Sequence, residues 1–97
     1  MSDLSSPGSV RARVTVFPRA EILDPQGKAI SQALGRLDFA EVAEVRAGKA
    51  FDIELQCDDA DQARQRLREM AERLLSNPIT EDFQIEILAD GTAGEAP

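Results

Sequence analysis

Four short segments of this 97-residue chain carry an apolar residue at every second position, and two longer segments carry them at helical spacing. The first alternating segment presents Val10, Ala12, Val14 and Val16, ends at Pro18, and is typical of a strand with one buried face. In chain order the six segments predict strand, helix, strand, strand, helix and strand. Because each segment is apolar on one side only, the elements must pack in layers, which leaves few possible folds.

The first helix is predicted to run from about Pro25 to about Leu37. Asp24 is suited to cap it, because an aspartate accepts hydrogen bonds from backbone N–H groups of the first turn, here those of Gln26 or Gly27. Pro25 is suited to the first helical position. The apolar residues at helical spacing are Ile30, Ala33, Leu34 and Leu37.

The second and third strands are predicted to form a hairpin. The apolar row of strand two is Ala43, Val45 and Ala47, and that of strand three is Phe51, Ile53, Leu55 and Cys57. A two-residue turn would point one row outward, because side chains alternate between the faces of a strand. A three-residue loop, Gly48-Lys49-Ala50, keeps both rows on one face. We therefore expect this loop or an equivalent bulge.

The second helix has the clearest pattern. Asp58 and Asp59 suit its N-terminus, both as caps and as negative charges at the positive end of the helix dipole. Asn77-Pro78 ends it. Its buried stripe is predicted to consist of Ala63, Leu67, Met70, Ala71 and Leu74. The inward residues of the last strand are predicted to be Phe83, Ile85 and Ile87.

This order of elements predicts an α+β fold, a βαββαβ ferredoxin-like two-layer sandwich with both helices on one face of an antiparallel four-stranded sheet. In that topology strand one lies between strands three and four. Arg11 and Arg13 would then lie among the outward acids of the two neighbouring strands, and such pairs favour the arrangement. Those acids are Asp52, Glu54 and Glu86.

A chain of this length is expected to form one domain, which we place at residues 10–88. The flanking stretches are short and polar and contain Pro and Gly, so we expect a disordered N-terminal tail at 1–9 and a flexible C-terminal tail at 89–97. Few aromatic residues and a single cysteine imply a thin core without an internal disulfide. Domains of this kind often gain stability by oligomerisation.

The charge of the chain argues against two classes of partner. The formal net charge is −7 and there is no His, whereas nucleic acids and anionic lipids attract a concentrated basic surface. We therefore expect no nucleic-acid and no membrane partner. The sequence has no secretory signal pattern and no apolar run long enough to span a bilayer, and we expect a cytoplasmic protein.

No catalytic, cofactor or metal site is expected on this chain. Cys57 is interpreted as a core thiol, with a reactive cysteine as the less favoured alternative. The acids Asp58, Asp59 and Asp61 match a helix start better than a metal site. The segment 64–73 alternates Arg with Gln and Glu, which is typical of a solvated helix face, with a partner surface as the alternative. The glycines form no phosphate-binding loop, and without His a serine nucleophile lacks its usual base.

The stretch Asp24-Pro25-Gln26-Gly27 contains one residue that a helix cap does not explain. Gly27 falls in the first turn, where a glycine costs up to about 1 kcal/mol relative to alanine. A glycine there suggests close approach by another backbone, a subunit or a ligand. A merely tolerated glycine is the equal alternative.

Three stretches in a fixed order resemble a known family. "ILDPQGKAI" follows the first strand, "VAEVRAGKAFDIEL" covers the predicted hairpin, and "ERLLSNPITEDFQIEI" joins helix two to the last strand. Together they resemble the small PurS subunit of phosphoribosylformylglycinamidine synthase, over about residues 10–88. The matching positions are Leu23, Asp24, Pro25, Gln26, Gly27, Arg46, Gly48, Lys49, Asn77, Pro78, Glu81 and Asp82.

The resemblance implies a non-catalytic subunit of a glutamine-using ligase. The enzyme of this family hydrolyses glutamine on one subunit and passes ammonia to a large synthetase subunit. That subunit uses ATP and Mg²⁺ to convert formylglycinamide ribonucleotide to the formylglycinamidine. The small subunits are homo-oligomers, dimers or tetramers, that bridge the other two and support glutamine-dependent activity. The ATP and Mg²⁺ sites are therefore expected on the synthetase subunit, with no cofactor on this chain.

Subunit contacts are predicted around the two motifs nearest the first helix. The residues are Asp24, Pro25, Gln26, Gly27, Lys28, Arg46, Gly48 and Lys49. Gln26 and Gly27 are expected at the contact itself, while Asp24 and Pro25 shape the helix start. The rival hypothesis is a ferredoxin-like or ACT-like sensor that binds an amino acid at a dimer interface near Asp24 to Lys28. A purely structural homo-oligomer is the third.

Overall fold

The computed structural model describes residues 8–90, and these form an α+β arrangement of three strands and two helices. The elements are β1 (Ser9–Pro18), α1 (Pro25–Arg36), β2 (Lys49–Gln56), α2 (Ala60–Met70) with a following π-helical turn (Ala71–Leu75), and β3 (Glu81–Asp90). The predicted tails at 1–9 and 89–97 lie almost wholly outside the described residues. Where the two overlap, Ser9 belongs to β1 and Ala89 to β3.

The sheet is antiparallel with the order β2-β1-β3, so β1 is central, as predicted. Arg13 lies opposite Asp52 on β2 and opposite Glu86 on β3. Its Nε is 2.7 Å from Asp52 Oδ1, and this ion pair holds the pKa of the Asp52 carboxyl below its usual value. The pair is exposed, so solvent and salt screen it and it adds little to the stability of the fold.

The core lies between the inner face of β1 and helix α2. Every inward residue of β1 is buried, and α2 meets this row with Leu67 and Ala71, both fully buried. Around them pack half-buried apolar side chains of the two outer strands. These are Phe51, Ile53, Leu55, Phe83, Ile85 and Ile87. The predicted inward rows of β1, β2 and β3 are therefore confirmed.

Helix α2 departs from the predicted stripe in its last turn. Ala63, Leu67 and Ala71 are buried as expected, but Leu74 is 83% exposed. The backbone widens here into a π-helical turn, in which the N–H of Ser76 donates to the carbonyl of Ala71, five residues back. One extra residue per turn rotates the following side chains, so Leu75 packs against the core in the place predicted for Leu74.

The predicted hairpin is wrong for the chain that the structure describes. Lys49 and Ala50 were expected in the loop, but they are the first residues of β2 and pair with Val16 and Thr15. Residues 42–48, here called the connecting segment, contain the predicted second strand and belong to neither a helix nor a strand. Periodicity specifies which face of a segment is apolar, but it does not specify which edge the segment pairs with.

Helix α1 lies off the sheet. Among the described residues, α2 packs on β3 and β1, whereas α1 packs on no strand to a comparable extent. The apolar stripe of α1 stays open as a result: Ile30 is 40% exposed and Leu37 is 65% exposed. Among residues 8–90, therefore, one helix covers the sheet, and the four-stranded sandwich with two helices on one face is not formed.

Candidate functional site

The start of α1 is organised by the side chain of Asp24. Oδ1 of Asp24 accepts from the backbone N–H of Gly27 at 3.0 Å, and Pro25 occupies the first helical position. The backbone carbonyl of Asp24 accepts from the N–H of Lys28 at 3.0 Å. The predicted cap is confirmed, with Gly27 as the donor.

The same carboxylate joins the helix to the connecting segment. Oδ2 of Asp24 accepts from the backbone N–H of Ala47 at 2.8 Å. The bond from Ala47 is the largest cause of a lowered pKa for the Asp24 carboxyl; the bond from Gly27 adds to it, and the charge of Arg46 contributes less. Two N–H donors on one carboxylate favour its charged form. Asp24 is thus a joint between two parts of the chain as well as a cap.

The atoms packed around Gly27 explain why a glycine occupies this position. It is the one residue of α1 that is buried, and a Cβ at this position would overlap the carbonyl oxygen of Val45 and come within 2.5 Å of Asp24 Oδ2. The connecting segment therefore lies directly against the first turn of the helix. Of the predicted reasons for this glycine, close approach by another backbone applies, and the backbone belongs to the same chain.

Two more residues of the second motif fasten the connecting segment to the end of β1. Arg46 donates from Nη2 to the carbonyl of Pro18, and its Nε is buried without a hydrogen-bond partner among the described residues. At Gly48 a Cβ would overlap the Val16 carbonyl and the Phe17 ring, whose Cδ1 would lie 2.6 Å away. The segment therefore runs along the end of β1 and enters β2 from there.

An open cleft of ≈ 290 Å³ lies beside this joint. Its lining includes Leu23, Asp24 and Lys28 from the helix start and Val45 and Arg46 from the connecting segment. Leu23 is 73% exposed. The cleft offers an apolar side chain and both charge signs to whatever lies against it.

The predicted contact residues fall into two groups around this joint. Pro25, Gln26, Lys28, Gly48 and Lys49 are exposed. The others are at least half-buried within the chain, namely Asp24, Gly27 and Arg46. Residue patterns alone missed the three backbone groups that these residues contact. They are the Pro18 carbonyl, which accepts from Arg46, the Ala47 N–H, which donates to Asp24, and the Val45 carbonyl, which lies against Gly27. Nearly every residue type has a backbone N–H and C=O, so the sequence does not mark these contacts. Only the joint occurrence of the two motifs hints that they touch.

The third motif builds a closed turn between α2 and β3. Asn77 Oδ1 accepts from the N–H of Ile79 at 3.0 Å, and Glu81 Oε1 accepts from the N–H of Asn77 at 2.7 Å. Arg19 reaches across from the end of β1, donating from Nη2 to the carbonyl of Pro78 at 2.6 Å. Its Nε lies 3.3 Å from Asp82 Oδ1. Asn77, Pro78, Glu81 and Asp82 of the motif, together with Arg19 from the end of β1, therefore fix the conformation of this turn.

The remaining chemical candidates have local structural roles. Cys57 is half-buried, and its thiol lies 3.3 Å from the carbonyl of Asp59. Asp59 caps α2 by accepting from the N–H of Asp61 at 3.0 Å. Within residues 8–90 no group of three or more His, Cys, Asp or Glu is placed to hold a metal ion. Over the same range no helix is both long and apolar enough to cross a membrane.

Fold and site together define a small α+β domain whose motif residues build structural joints and leave an exposed rim of polar residues around them. Residues 11–89 match the family described as PurS: phosphoribosylformylglycinamidine (FGAM) synthase. The chain is 49% identical over 75 residues to the phosphoribosylformylglycinamidine synthase subunit PurS of Mycobacterium leprae (strain TN), covering 77% of this chain and 91% of that relative. The chain belongs to the PurS family.

Solved structures support the same assignment. The structure of Bacillus subtilis PurS in a C2 crystal form matches with a TM-score of 0.71 at 34% identity, covering 81% of this chain and 98% of that one. A chain in the structure of PurLQS from Thermotoga maritima matches with a TM-score of 0.77 at 25% identity, covering 82% of this chain and 98% of that one. The predicted family is confirmed.

Proposed function

We propose that this chain is the non-catalytic PurS subunit of phosphoribosylformylglycinamidine synthase in purine biosynthesis. It bridges a glutaminase subunit and an ATP-dependent synthetase subunit and supports glutamine-dependent amidination of formylglycinamide ribonucleotide. ATP and Mg²⁺ bind to the synthetase subunit. This chain contributes surfaces for assembly, and no group of its own takes part in bond making or breaking.

The observation that carries this proposal is the match to the PurS family over residues 11–89 together with what its motif residues do. Asp24, Gly27 and Arg46 are committed to holding the chain's own shape. A carboxylate that already accepts two backbone N–H groups and a guanidinium bonded to a carbonyl are poorly placed to act on a substrate. The match to a chain of the T. maritima PurLQS structure supports partners of the same kind.

We further propose that the subunit is a homo-oligomer, a dimer or tetramer, and that its contacts with other chains lie around the joint between α1 and the connecting segment. The exposed residues Gln26, Lys28 and Lys49 offer the polar contacts there. Exposed apolar side chains such as Leu23 offer the area from which binding energy comes. Asp24, Pro25, Gly27, Arg46 and Gly48 fix the position of this surface.

Assembly can be tested by mass. The chain is mixed with the glutaminase and synthetase subunits of the enzyme, and the mixture is separated by size-exclusion chromatography with light scattering. We expect one complex that contains all three chains. Lys28→Glu and Lys49→Glu together should weaken the complex. Because the chain has no other lysine, Arg66→Glu at an exposed position of α2 serves as the charge-reversal control. Separate elution of the unaltered chain from both subunits would contradict the proposal.

The cleft beside Asp24 favours one rival, an ACT-like domain that binds an amino acid. A ligand that filled this cleft would stabilise the folded chain by mass action. We expect no shift in the melting temperature of the isolated protein with millimolar glutamine or other amino acids. A concentration-dependent rise in melting temperature with one of them, lost in Arg46→Gln, would support the sensor instead.

A further inference from the structure

Strand β3 leaves one side of its backbone unpaired. It lies at an edge of the sheet, and within the described range 8–90 no further strand pairs with its outer side. Its pairing with β1 is regular from Glu81 to Ile87, and the register shifts only beyond that point. Residues 81–87 therefore offer a regular row of backbone N–H and C=O groups to another chain.

The protection that β3 carries against edge pairing is a set of acids. Exposed edges are commonly blunted by a short strand, by Pro or Lys, or by a bulge. β3 is ten residues long and contains neither Pro nor Lys. Its acids are Glu81, Asp82, Glu86 and Asp90, with no basic residue among them. They oppose pairing with a second copy of the same strand, because like charges on paired strands are destabilising.

Helix α2 forms a wall beside the start of this strand. It packs more extensively on β3 than on β1, and the guanidinium of Arg68 lies over the ring of Phe83, 6.0 Å from its centroid. An open cleft of ≈ 380 Å³ lies between the two elements. Its lining includes Arg68 and Glu72 from the helix and Asp82 and Phe83 from the strand. The start of β3 and this flank of α2 therefore form an open groove.

The two faces of β3 specify the side chains that an added strand would need. Its inner residues pack on the core but are only half-buried, namely Phe83, Ile85 and Ile87. Its outer residues are polar and exposed, namely Asp82, Gln84 and Glu86. Because side chains of a strand alternate between the two faces and interact with those opposite them, a matching strand is apolar on its inner side and basic on its outer side.

The outer face of β3 keeps a net negative charge in the folded chain. Arg13 on the neighbouring strand β1 donates to Asp52 on β2. Among residues 8–90, Asp82 is the one acid of β3 with an ion pair, which it forms with Arg19 at 3.3 Å. A basic segment is therefore attracted to this edge, whereas an acidic one is repelled.

We infer that the edge of β3 is a docking site for an extended, basic segment of a partner protein, which joins the sheet as an additional strand. Its backbone pairs with residues 81–87, its apolar side chains lie beside the inner row, and its Lys or Arg side chains lie beside Asp82 and Glu86. In strand addition, main-chain hydrogen bonds give affinity and the alternate side chains give specificity. The inference goes beyond the proposed function and does not rest on assembly with the other two subunits.

A short peptide tests the chemistry of this edge. The peptide acetyl-VKVKVKV-amide places valine on one side of a strand and lysine on the other, and isothermal titration calorimetry measures its binding to the full chain. We expect saturable binding at one site per chain. The same peptide with every backbone nitrogen methylated keeps its side chains and charge but cannot donate from its backbone. We expect methylation to weaken binding by about tenfold or more.

A reversal of charge on β3 tests the specificity. Gln84→Lys combined with Glu86→Lys places two bases on the outer face. We expect this variant to bind the lysine peptide about tenfold more weakly and to gain binding of acetyl-VEVEVEV-amide. Glu41→Lys, at an exposed position outside the sheet, is the control and should leave both affinities near those of the unaltered protein. Circular dichroism checks that each variant is folded.

Amide hydrogen exchange followed by NMR shows where the peptide lies and needs no variant. The amides of β3 that point away from β1 should exchange rapidly in the isolated protein and slowly with the lysine peptide bound.

Three results would overturn the docking site: no saturable binding, equal binding of the methylated peptide, or exchange in β3 that the peptide leaves unchanged. Slow exchange of all β3 amides in the isolated protein would also overturn it, because a second copy would then already occupy the edge. None of these measurements depends on the glutaminase and synthetase subunits, so this inference and the proposed function can fail separately.

Discussion

At the scale of residues, the joint between α1 and the connecting segment is held by the carboxylate of Asp24 and made possible by the missing side chain of Gly27. Asp24 accepts from Gly27 and Ala47, and Gly27 leaves room for the Val45 carbonyl. The cap was predictable because its donor lies three residues away along the chain. The bond to Ala47 was not, because it joins positions 23 residues apart through a backbone group that any residue provides.

Adding a methyl group at Gly27 should destabilise the fold. In Gly27→Ala the new Cβ overlaps the Val45 carbonyl, and overpacking of this kind costs about 1–3 kcal/mol. Gly35→Ala is the matched control on the same helix, because a Cβ there meets nothing within 4 Å. The control should gain up to about 1 kcal/mol from helix propensity. Urea unfolding curves measure both, and equal stabilisation by the two changes would contradict the described packing.

The stability that Asp24 confers should depend on pH in one direction. Its pKa in the folded chain lies below the ordinary value of 3.8, so the stabilisation is fully present above that value and is lost as the pH falls through the folded pKa. Asp24→Asn keeps the shape but not the charge. It should be less stable than the unaltered protein at neutral pH, and the difference should shrink below pH 3.8.

Thermal unfolding of both proteins between pH 7 and pH 2.5 checks this expectation. Asp52→Asn is a useful comparison, because its carboxyl also has a lowered pKa but owes it first to Arg13. Added salt should reduce the effect at the exposed Asp52–Arg13 pair more than the effect of two backbone hydrogen bonds at Asp24. A stability difference for Asp24→Asn that is independent of pH would contradict the role given to the charge.

At the scale of elements, periodicity predicted the strands of the sheet and the body of α2, and it failed where the backbone left regular geometry. The π-helical turn after Met70 carries no clear signal in the sequence, since AERLL suits an ordinary helix equally well. Its effect is to exchange the environments of two neighbouring leucines. Strand two shows the other limit: its apolar row is regular, but residues 42–48 form no strand within the described part of the chain.

The two leucines of the π-helical turn should respond differently to truncation. Leu75→Ala removes packing from the core and should cost about 1–3 kcal/mol of unfolding free energy, less than a fully buried leucine because Leu75 is half-buried. Leu74→Ala removes a side chain that is 83% exposed, so the change should stay within about 0.5 kcal/mol. Chemical denaturation distinguishes them, and the reverse order would mean that an ordinary α-helix continues through Leu75.

At the scale of the whole molecule, the described residues form three of the four predicted strands, with one of the two predicted helices packed on them. One helix covers the sheet, and the other stays apart with its apolar stripe open. The α+β class, the central position of β1 and the family were within reach of the sequence. The absence of a strand at residues 42–48 of the described chain was not, because a pattern of apolar residues does not specify which sheet edge a segment pairs with.

The most direct measurement is glutamine-dependent synthesis by the reconstituted enzyme. Glutaminase and synthetase subunits are assayed for conversion of formylglycinamide ribonucleotide with glutamine, and separately with ammonium chloride, in the presence and absence of this chain. We predict that the chain restores synthesis with glutamine and changes synthesis with ammonium little, because it serves assembly and contributes no reacting group. Glutamine-dependent synthesis that is the same with and without the chain would contradict this account.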